Sequence, residues 1–226
     1  MSAPDLHTIP APTNEKELTI TLADAGKRFN RDWIFRRVDY RFIPGTSYAI
    51  TGPNGSGKST LLQAIAGSLL LNEGSISYAQ QQRGVSTGID SEQVYLSMAL
   101  AAPYLELIEE MTARELLRFH HHFKPLVASL SVDEMLDLVE LGKAADKQIR
   151  YYSSGMKQRV KLAQAVFSDT PVLLLDEPCT NLDAAGYALY HRLIKTYCRH
   201  KLIVVSSNDT AEMEFCEQRI SILDYK

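Results

Sequence analysis

Apolar and polar positions alternate through Leu18-Thr19-Ile20-Thr21-Leu22, the period of a strand with one face buried. A second run, Trp33-Ile34-Phe35 continuing toward Val38-Asp39-Tyr40-Arg41-Phe42, precedes Pro44-Gly45, which turns the chain into a strand at Tyr48-Ala49-Ile50-Thr51. The early strands predict an antiparallel layer. A helix-like run, Leu61-Leu62-Gln63-Ala64-Ile65-Ala66, should stop near Gly67, and Asn72-Glu73-Gly74 marks a turn before the strand Ser75-Ile76-Ser77-Tyr78. Gln80 to Ser91 is polar and contains glycine, so it reads as a loop, and Val94-Tyr95-Leu96-Ser97-Met98 reads as a core strand.

From Glu109 the period becomes helical. Thr112-Ala113-Arg114-Glu115 and Ser131-Val132-Asp133-Glu134 are both capping-box patterns, the second followed by Met135, Leu136, Val139 and Leu141 on one side, with Gly142 placed to end the helix. About 45 residues of helix thus interrupt an alternation of strands and helices, the pattern of an inserted helical subdomain near residues 103–150. After Ser153-Ser154-Gly155, Val160, Ala163, Val166 and Phe167 fall on one helical face, which Pro171 closes. Val172-Leu173-Leu174-Leu175 is continuously apolar, the mark of a strand covered on both faces. A helix from Ala184 to about Arg199, a strand Leu202–Ser206, a short helix opened by Asp209-Thr210-Ala211-Glu212 and a last strand Ile220–Leu223 complete the order. This alternation predicts an α/β fold with a mainly parallel sheet.

Composition narrows the possibilities only slightly. The chain has 226 residues, 45% hydrophobic and 23% charged, enough for one large domain or two small ones with a full core. Residues 1–16, with Pro4, Pro10 and Pro12, read as a flexible tail ahead of a domain at 17–226. A net charge of −3 gives no electrostatic reason to expect nucleic acid. Cys179, Cys198 and Cys216 form no C-x-x-C pair, so neither a disulfide framework nor a zinc site is suggested and a reducing interior is the simpler inference. No apolar run approaches the roughly 18 residues that span a bilayer, and the N-terminus lacks a signal-peptide pattern. A metal site at His120-His121-His122 is conceivable but disfavoured, because adjacent helix positions point in different directions.

The chemistry concentrates in Gly52-Pro53-Asn54-Gly55-Ser56-Gly57-Lys58-Ser59-Thr60, which fits G-x-x-x-x-G-K-[ST] between a strand and a helix. Glycines at these positions let successive N–H groups turn inward around phosphates, and the helix start adds unpaired donors and the positive end of its dipole. Lys58 is suited to the β- and γ-phosphates and Ser59 to Mg²⁺, with Thr60 a further hydroxyl at the helix start. The apolar strand at 172–175 ends in Asp176-Glu177-Pro178. With the phosphate loop on a neighbouring strand, Asp176 is suited to hold Mg²⁺ through its water shell and Glu177 to polarise an attacking water as general base.

In order and spacing these runs resemble the ATP-binding subunit of ABC transporters over essentially the whole chain after the tail. Gly52 to Thr60 matches Walker A, Tyr152-Ser153-Ser154-Gly155-Met156-Lys157-Gln158-Arg159 is a variant of the family signature, Val172 to Glu177 matches Walker B, and Thr180-Asn181-Leu182-Asp183 looks like the D-loop. The resemblance implies a P-loop NTPase fold with an antiparallel β layer and an inserted α-helical subdomain. It also implies a head-to-tail homodimer in which each ATP lies between one subunit's Walker A and the other's signature. Ser153 and Gly155, at a helix start, would meet the γ-phosphate, and Phe29 stands where the family stacks an aromatic on adenine, although a core ring is an ordinary alternative.

Three departures from the family pattern matter. The signature has Tyr152, Ser154 and Met156 where Leu, Gly and Gln are usual; small residues and a helix start remain, so γ-phosphate contact should persist. No Gln occurs from Val94 to Arg114 to serve as the loop that touches Mg²⁺ and couples to the membrane partner, and Ala99 to Leu107 is expected to replace it. Ser207-Asn208-Asp209 carries asparagine where histidine is usual; Asn208 can donate to the γ-phosphate but cannot carry a proton's charge, so hydrolysis should be slow.

The resemblance therefore implies the ATP-binding, ATP-hydrolysing subunit of a transporter, of exporter type, cytoplasmic and held at the membrane's inner face by a separate permease. ATP and Mg²⁺ are the implied cofactors, and no nucleic acid is expected. A soluble ATPase of the same family or a nucleotide-gated dimerisation module with weak hydrolysis are the alternatives.

Overall fold

The computed structural model describes residues 17–82 and 84–226, so the tail at 1–16 lies outside the described residues. Two sheets organise the chain. β1 (Glu17–Phe29), β2 (Asp32–Phe42), β4 (Glu73–Gln82) and β5 (Val85–Ile89) form an antiparallel sheet in the order β2-β1-β4-β5. β3 (Ser47–Thr51), β6 (Met98–Ala101), β7 (Val172–Asp176), β8 (Leu202–Ser206) and β9 (Gln218–Ser221) form a wholly parallel sheet in the order β6-β7-β8-β3-β9. The α/β fold expected from the alternation of elements is the fold observed.

The period of two along each central strand divides the interior into two cores. Val172 and Leu174 of β7, with Leu202 and Val204 of β8, point into one core, shared with the antiparallel sheet and with Leu61, Leu62 and Ile65 of helix α1 (Lys58–Ile65). Leu173, Leu175, Ile203 and Val205 point into the other, where α2 (Ala113–Phe123), α3 (Val132–Leu138), α4 (Ser154–Val166) and α5 (Ala184–Tyr197) pack. Each of these side chains is buried on whichever face it meets, which is why the sequence shows continuous rather than alternating apolar runs. Full burial of one such side chain contributes about 1.5–3 kcal/mol.

Local chemistry sets the helix ends. Thr112 and Ser131 close both capping boxes, accepting from the N–H of Glu115 and Glu134 while those carboxylates return to the cap. The second helix ends earlier than the sequence suggests. Glu140, not Gly142, takes the left-handed conformation (φ 60°), and the Leu141 N–H reaches back to Leu136 O at 2.8 Å in the pattern of a Schellman cap. The Glu140 carboxylate pairs with Arg159, which holds it there.

Other expectations are also corrected. Residues 94–97 form a 3-10 turn that leaves Tyr95 and Leu96 more than half exposed, and the strand begins only at Met98. The polar stretch after Gln80 is not a loop but the hairpin of β4 and β5, turned at Gly84 (φ 80°); an edge strand exposed along most of its length needs no apolar pattern. The last strand lies at Gln218–Ser221, followed by a 3-10 turn. β8 separates the phosphate-loop strand β3 from β7, so those two are not neighbours.

Two basic side chains are drawn inward near the end of α4. Lys201, 1% exposed, donates to Val166 O at 3.1 Å and Ser168 O at 2.6 Å, a cation on the carbonyls of a helix end. His120 Nε2 lies 2.9 Å from Ser168 Oγ, whose own hydroxyl donates to Gln164 O, so the ring carries its proton on Nε2. Burial, with Lys124 and His121 nearby, pushes His120 down to about 4. The unfolded chain therefore takes up the proton first as pH falls below the ordinary value of about 6.5. Stability should decline across the window from about pH 6.5 to about pH 4, and His120→Gln should shrink that decline, as read from urea midpoints at about pH 7 and about pH 5.

Candidate functional site

Parallel strands deliver their C-terminal ends to one edge of the sheet, the usual place for a ligand in such folds. Asp176 is in register with Ser206, and Ser206 with Ile50, so the loops after β7, β8 and β3 leave the sheet side by side. The last of these is Gly52 to Thr60. Gly52 (φ 149°), Gly55 (φ 76°) and Gly57 (φ 102°) all adopt conformations that favour glycine. A Cβ on Gly57 would stand 2.3 Å from Ile34 Cγ2, and one on Gly52 2.6 Å from Ile222 Cγ2, so both positions also require the absence of a side chain.

α1 begins directly from this loop, and its N-terminus differs from those of the other helices. Thr112, Ser131, Ser153 and Asp183 cap α2 to α5 with side-chain oxygens. Gly57 offers α1 no side-chain cap, and the first turn holds no acidic residue. Its N–H groups and the dipole are left for an external anion. Lys58, 5% exposed, donates from Nζ to Gly52 O at 2.9 Å and Pro53 O at 3.1 Å, so its charge sits inside the loop.

A cleft of about 210 Å³ is lined by Asn54, Gly55, Gly57, Lys58, Ser59, Thr60 and Glu177, with Ile34 on its wall. Asn208 is tied to it, donating from Nδ2 to Asn54 Oδ1 at 2.9 Å across 154 positions of sequence. Asp176 is 2% exposed and its Oδ1 has no hydrogen-bond partner among the described residues; Ser206 Oγ beside it and Ser56 Oγ share that condition. An unpaired buried carboxylate oxygen at this edge suits a bound cation or its water. The structure thus brings together Gly52, Pro53, Asn54, Gly55, Ser56, Gly57, Lys58, Ser59 and Thr60 with Asp176, Glu177 and Asn208.

Ser153 and Gly155 are elsewhere. They share a second cleft of about 320 Å³ with Asn181 and Asp183, in which Ser153 Oγ accepts the Met156 N–H at 3.2 Å and a Cβ on Gly155 would stand 3.0 Å from Asn181 O. Phe29 ends β1, is 49% exposed and so is no core residue; Lys27 Nζ lies 5.2 Å from its ring centre, and Ile34 rather than Phe29 lines the phosphate-loop cleft.

Some contributors escape a reading of the sequence. Lys226 Nζ donates to Ser56 O at 2.6 Å and Ile34 O at 2.8 Å, bracing the loop from 170 positions away with no local motif to announce it. Gln158, on α4, donates to Pro178 O at 2.7 Å behind Glu177. After β6, in the segment that lacks glutamine, Tyr104 stands near Gln63 of α1 and the Asp176 carboxylate; burial raises its pKa, and Asp176 adds to that. An aromatic three positions past a strand end was the signal available for it.

Comparison with known proteins follows the same lines. Residues 35–180 match the sequence model of a family described as ABC transporter. The chain is 31% identical over 197 residues to the cytochrome c biogenesis ATP-binding export protein CcmA of Agrobacterium fabrum, covering 84% of this chain and 88% of that protein. It is 28% identical over 213 residues to Nod factor export ATP-binding protein I of a Rhizobium species, covering 92% of this chain and 69% of the relative. Among solved structures, a putative ABC transporter ATP-binding protein from Pyrococcus furiosus superposes with a TM-score of 0.74 at 18% identity, covering 92% and 99% of the two chains. A dimeric bacterial ABC transporter cassette does so with 0.71 at 22%, covering 90% and 94%.

The tight fit at Gly57 carries a test. Gly57→Ala sets a methyl group against Ile34 at a positive φ, and should cost about 1–3 kcal/mol of stability together with at least about tenfold in triphosphate affinity. Titration calorimetry beside a urea melt reads both; an alanine variant binding as tightly as the parent would show that the loop does not need this shape.

Proposed function

Because the chain belongs to the ABC transporter family, whose sequence model it matches over residues 35–180, we propose that it is the ATP-binding and ATP-hydrolysing subunit of a transporter that drives export through a separate membrane subunit. What carries the reading is the meeting, at one sheet edge, of a buried lysine in a glycine-shaped loop, an uncapped helix start, Glu177, and Asn208. The relatives named for export of Nod factors and for cytochrome c biogenesis support the direction of transport. No helix among the described residues is long and apolar enough to cross a membrane.

In this reading the loop N–H groups and Lys58 hold the β- and γ-phosphates, exchanging the lysine's two carbonyl partners for phosphate oxygens. Asn208 stands close enough to Asn54 to donate to the same phosphate. Ser59 and Asp176 would hold Mg²⁺, which when bound neutralises phosphate charge. Glu177 accepts a proton from the attacking water and directs it in line with the leaving oxygen. Ser153 and Gly155 lie in a different cleft of the same copy, which supports a head-to-tail pair in which one copy's signature closes over the other's ATP. The subunit would sit at the inner face of the membrane, where the cleft bounded by Leu105, Leu107, Lys124 and Lys161 offers a docking surface for the permease. The helical stretch at about 103–150 is proposed as an inserted subdomain within an ATP-binding domain at 17–226, and Phe29 as the adenine-stacking ring.

Asn208 favours a second reading, a dimerisation module gated by ATP with little turnover, because an amide supplies no charge where an imidazolium would. Two substitutions separate these readings. Glu177→Gln should lower kcat by about a hundredfold or more and leave ATP affinity intact; hydrolysis at the parental rate would refute the base assignment. Asn208→His should raise kcat by about tenfold, measured as phosphate release at saturating ATP, whereas an unchanged rate would place the limit elsewhere.

A further inference from the structure

Glu212 is 3% exposed, lies in the 3-10 turn Thr210–Met213, and has no part in the mechanism above. Its Oε1 accepts the Cys179 N–H at 2.7 Å, two residues after Glu177. Its own backbone is fixed, the N–H donating to Asp209 O at 3.2 Å and the carbonyl accepting the Tyr190 hydroxyl at 3.0 Å. The Ser207 hydroxyl faces the same carboxyl and accepts the Asp209 N–H at 2.9 Å, while Oε2 has no partner within hydrogen-bond distance among the described residues. One buried residue thus joins the turn behind Glu177, through its carboxylate, to the loop that carries Asn208, through its backbone N–H on Asp209 O.

That turn needs holding. Glu177 has a φ of 41°, a left-handed conformation that a residue with a Cβ adopts only under constraint. Its N–H donates to Ser206 O at 2.9 Å and its carbonyl accepts the Thr180 N–H at 3.1 Å; Pro178 O is held by Gln158, and Cys179 O accepts the Leu182 N–H at 2.9 Å. The Cys179 N–H completes the set, and it alone is held by an acidic side chain. Burial raises the Glu212 pKa above the ordinary carboxyl value, against the pull of the nearby Ser207 hydroxyl and the Cys179 N–H, with Asp209 and Glu177 repelling its charge. A glutamine keeps the acceptor and the length.

We propose that Glu212 is a positioning residue for hydrolysis: by holding the Cys179 N–H it fixes the constrained turn that aims Glu177, and it ties that turn to the loop carrying Asn208. The proposal rests on the reading of Glu177 as the base. Glu212→Ala should lower kcat about ten- to a hundredfold with KM for ATP within about twofold of the parent, and should speed hydrogen exchange of the amides at 177–182. Glu212→Gln should retain the parental rate and protection. Glu212→Ser, short but easily solvated, replaces the alanine variant where that one does not fold, with the same expected result.

Parental exchange at 177–182 in the alanine or serine variant would overturn the proposal whatever the rate, as would an equal loss in the glutamine variant. A rise in KM that accounts for the whole loss would also overturn it, since it would place the effect on ATP binding. Parental hydrolysis by Glu177→Gln would instead remove the premise, and the exchange data would still report whether Glu212 holds the turn.

Discussion

A lysine ammonium buried to 5% exposure and held by two carbonyls of its own loop is the interaction on which the rest of the structure depends. A charge so placed is costly unless solvated by fixed dipoles, and the Gly52 and Pro53 carbonyls provide them only because the loop folds back through three glycines in left-handed or mirror-β conformations. The same loop leaves the start of α1 uncapped. Positive charge, unpaired N–H groups and helix dipole therefore converge on one small volume, and only an anion of several charged oxygens answers all three.

The remainder of the chain keeps that volume in shape and equips it. β3 is flanked by β8 and β9, so the loop springs from inside the parallel sheet rather than from its edge. Side chains alternating into two cores lock the register of β7 and β8, and with it the alignment of Asp176 beside Ser206. A one-residue slip would exchange every apolar side chain between the cores and carry Asp176 away from the loop. From behind, Lys226, Gln158 and Glu212 bind backbone groups of the phosphate loop and of the turn after Glu177, each from a distant part of the sequence. A neutral hydrogen bond of this kind contributes about 0.5–1.5 kcal/mol and one to a charged group about 1.5–3 kcal/mol.

Those features of the site that are local in sequence are legible from the sequence alone. The phosphate loop, the acidic end of β7 and the capping boxes at Thr112 and Ser131 each place their chemistry within a few residues, and the continuous apolar run at 172–175 marks the buried strand β7. Legibility failed where partners are remote or where exposure removes the pattern. β5 carries almost no buried side chain, so nothing in its sequence distinguishes it from a loop. Glu140 in a left-handed cap is paid for by Arg159, a neighbour 19 positions on, and so glycine at 142 misled. The order of strands, with β8 between β3 and β7, follows from crossovers that no single run records. Glu212 looked like one more acid at a short helix start.

The central claim is that Lys58, within its loop, binds a triphosphate. Titration of ATP against the parent and against Lys58→Ala, each shown to be folded by its urea transition, tests it most directly. Saturable binding by the parent and a loss of at least about tenfold in the variant is the predicted result. Equal affinity in the two proteins, or no binding by either, would contradict the account.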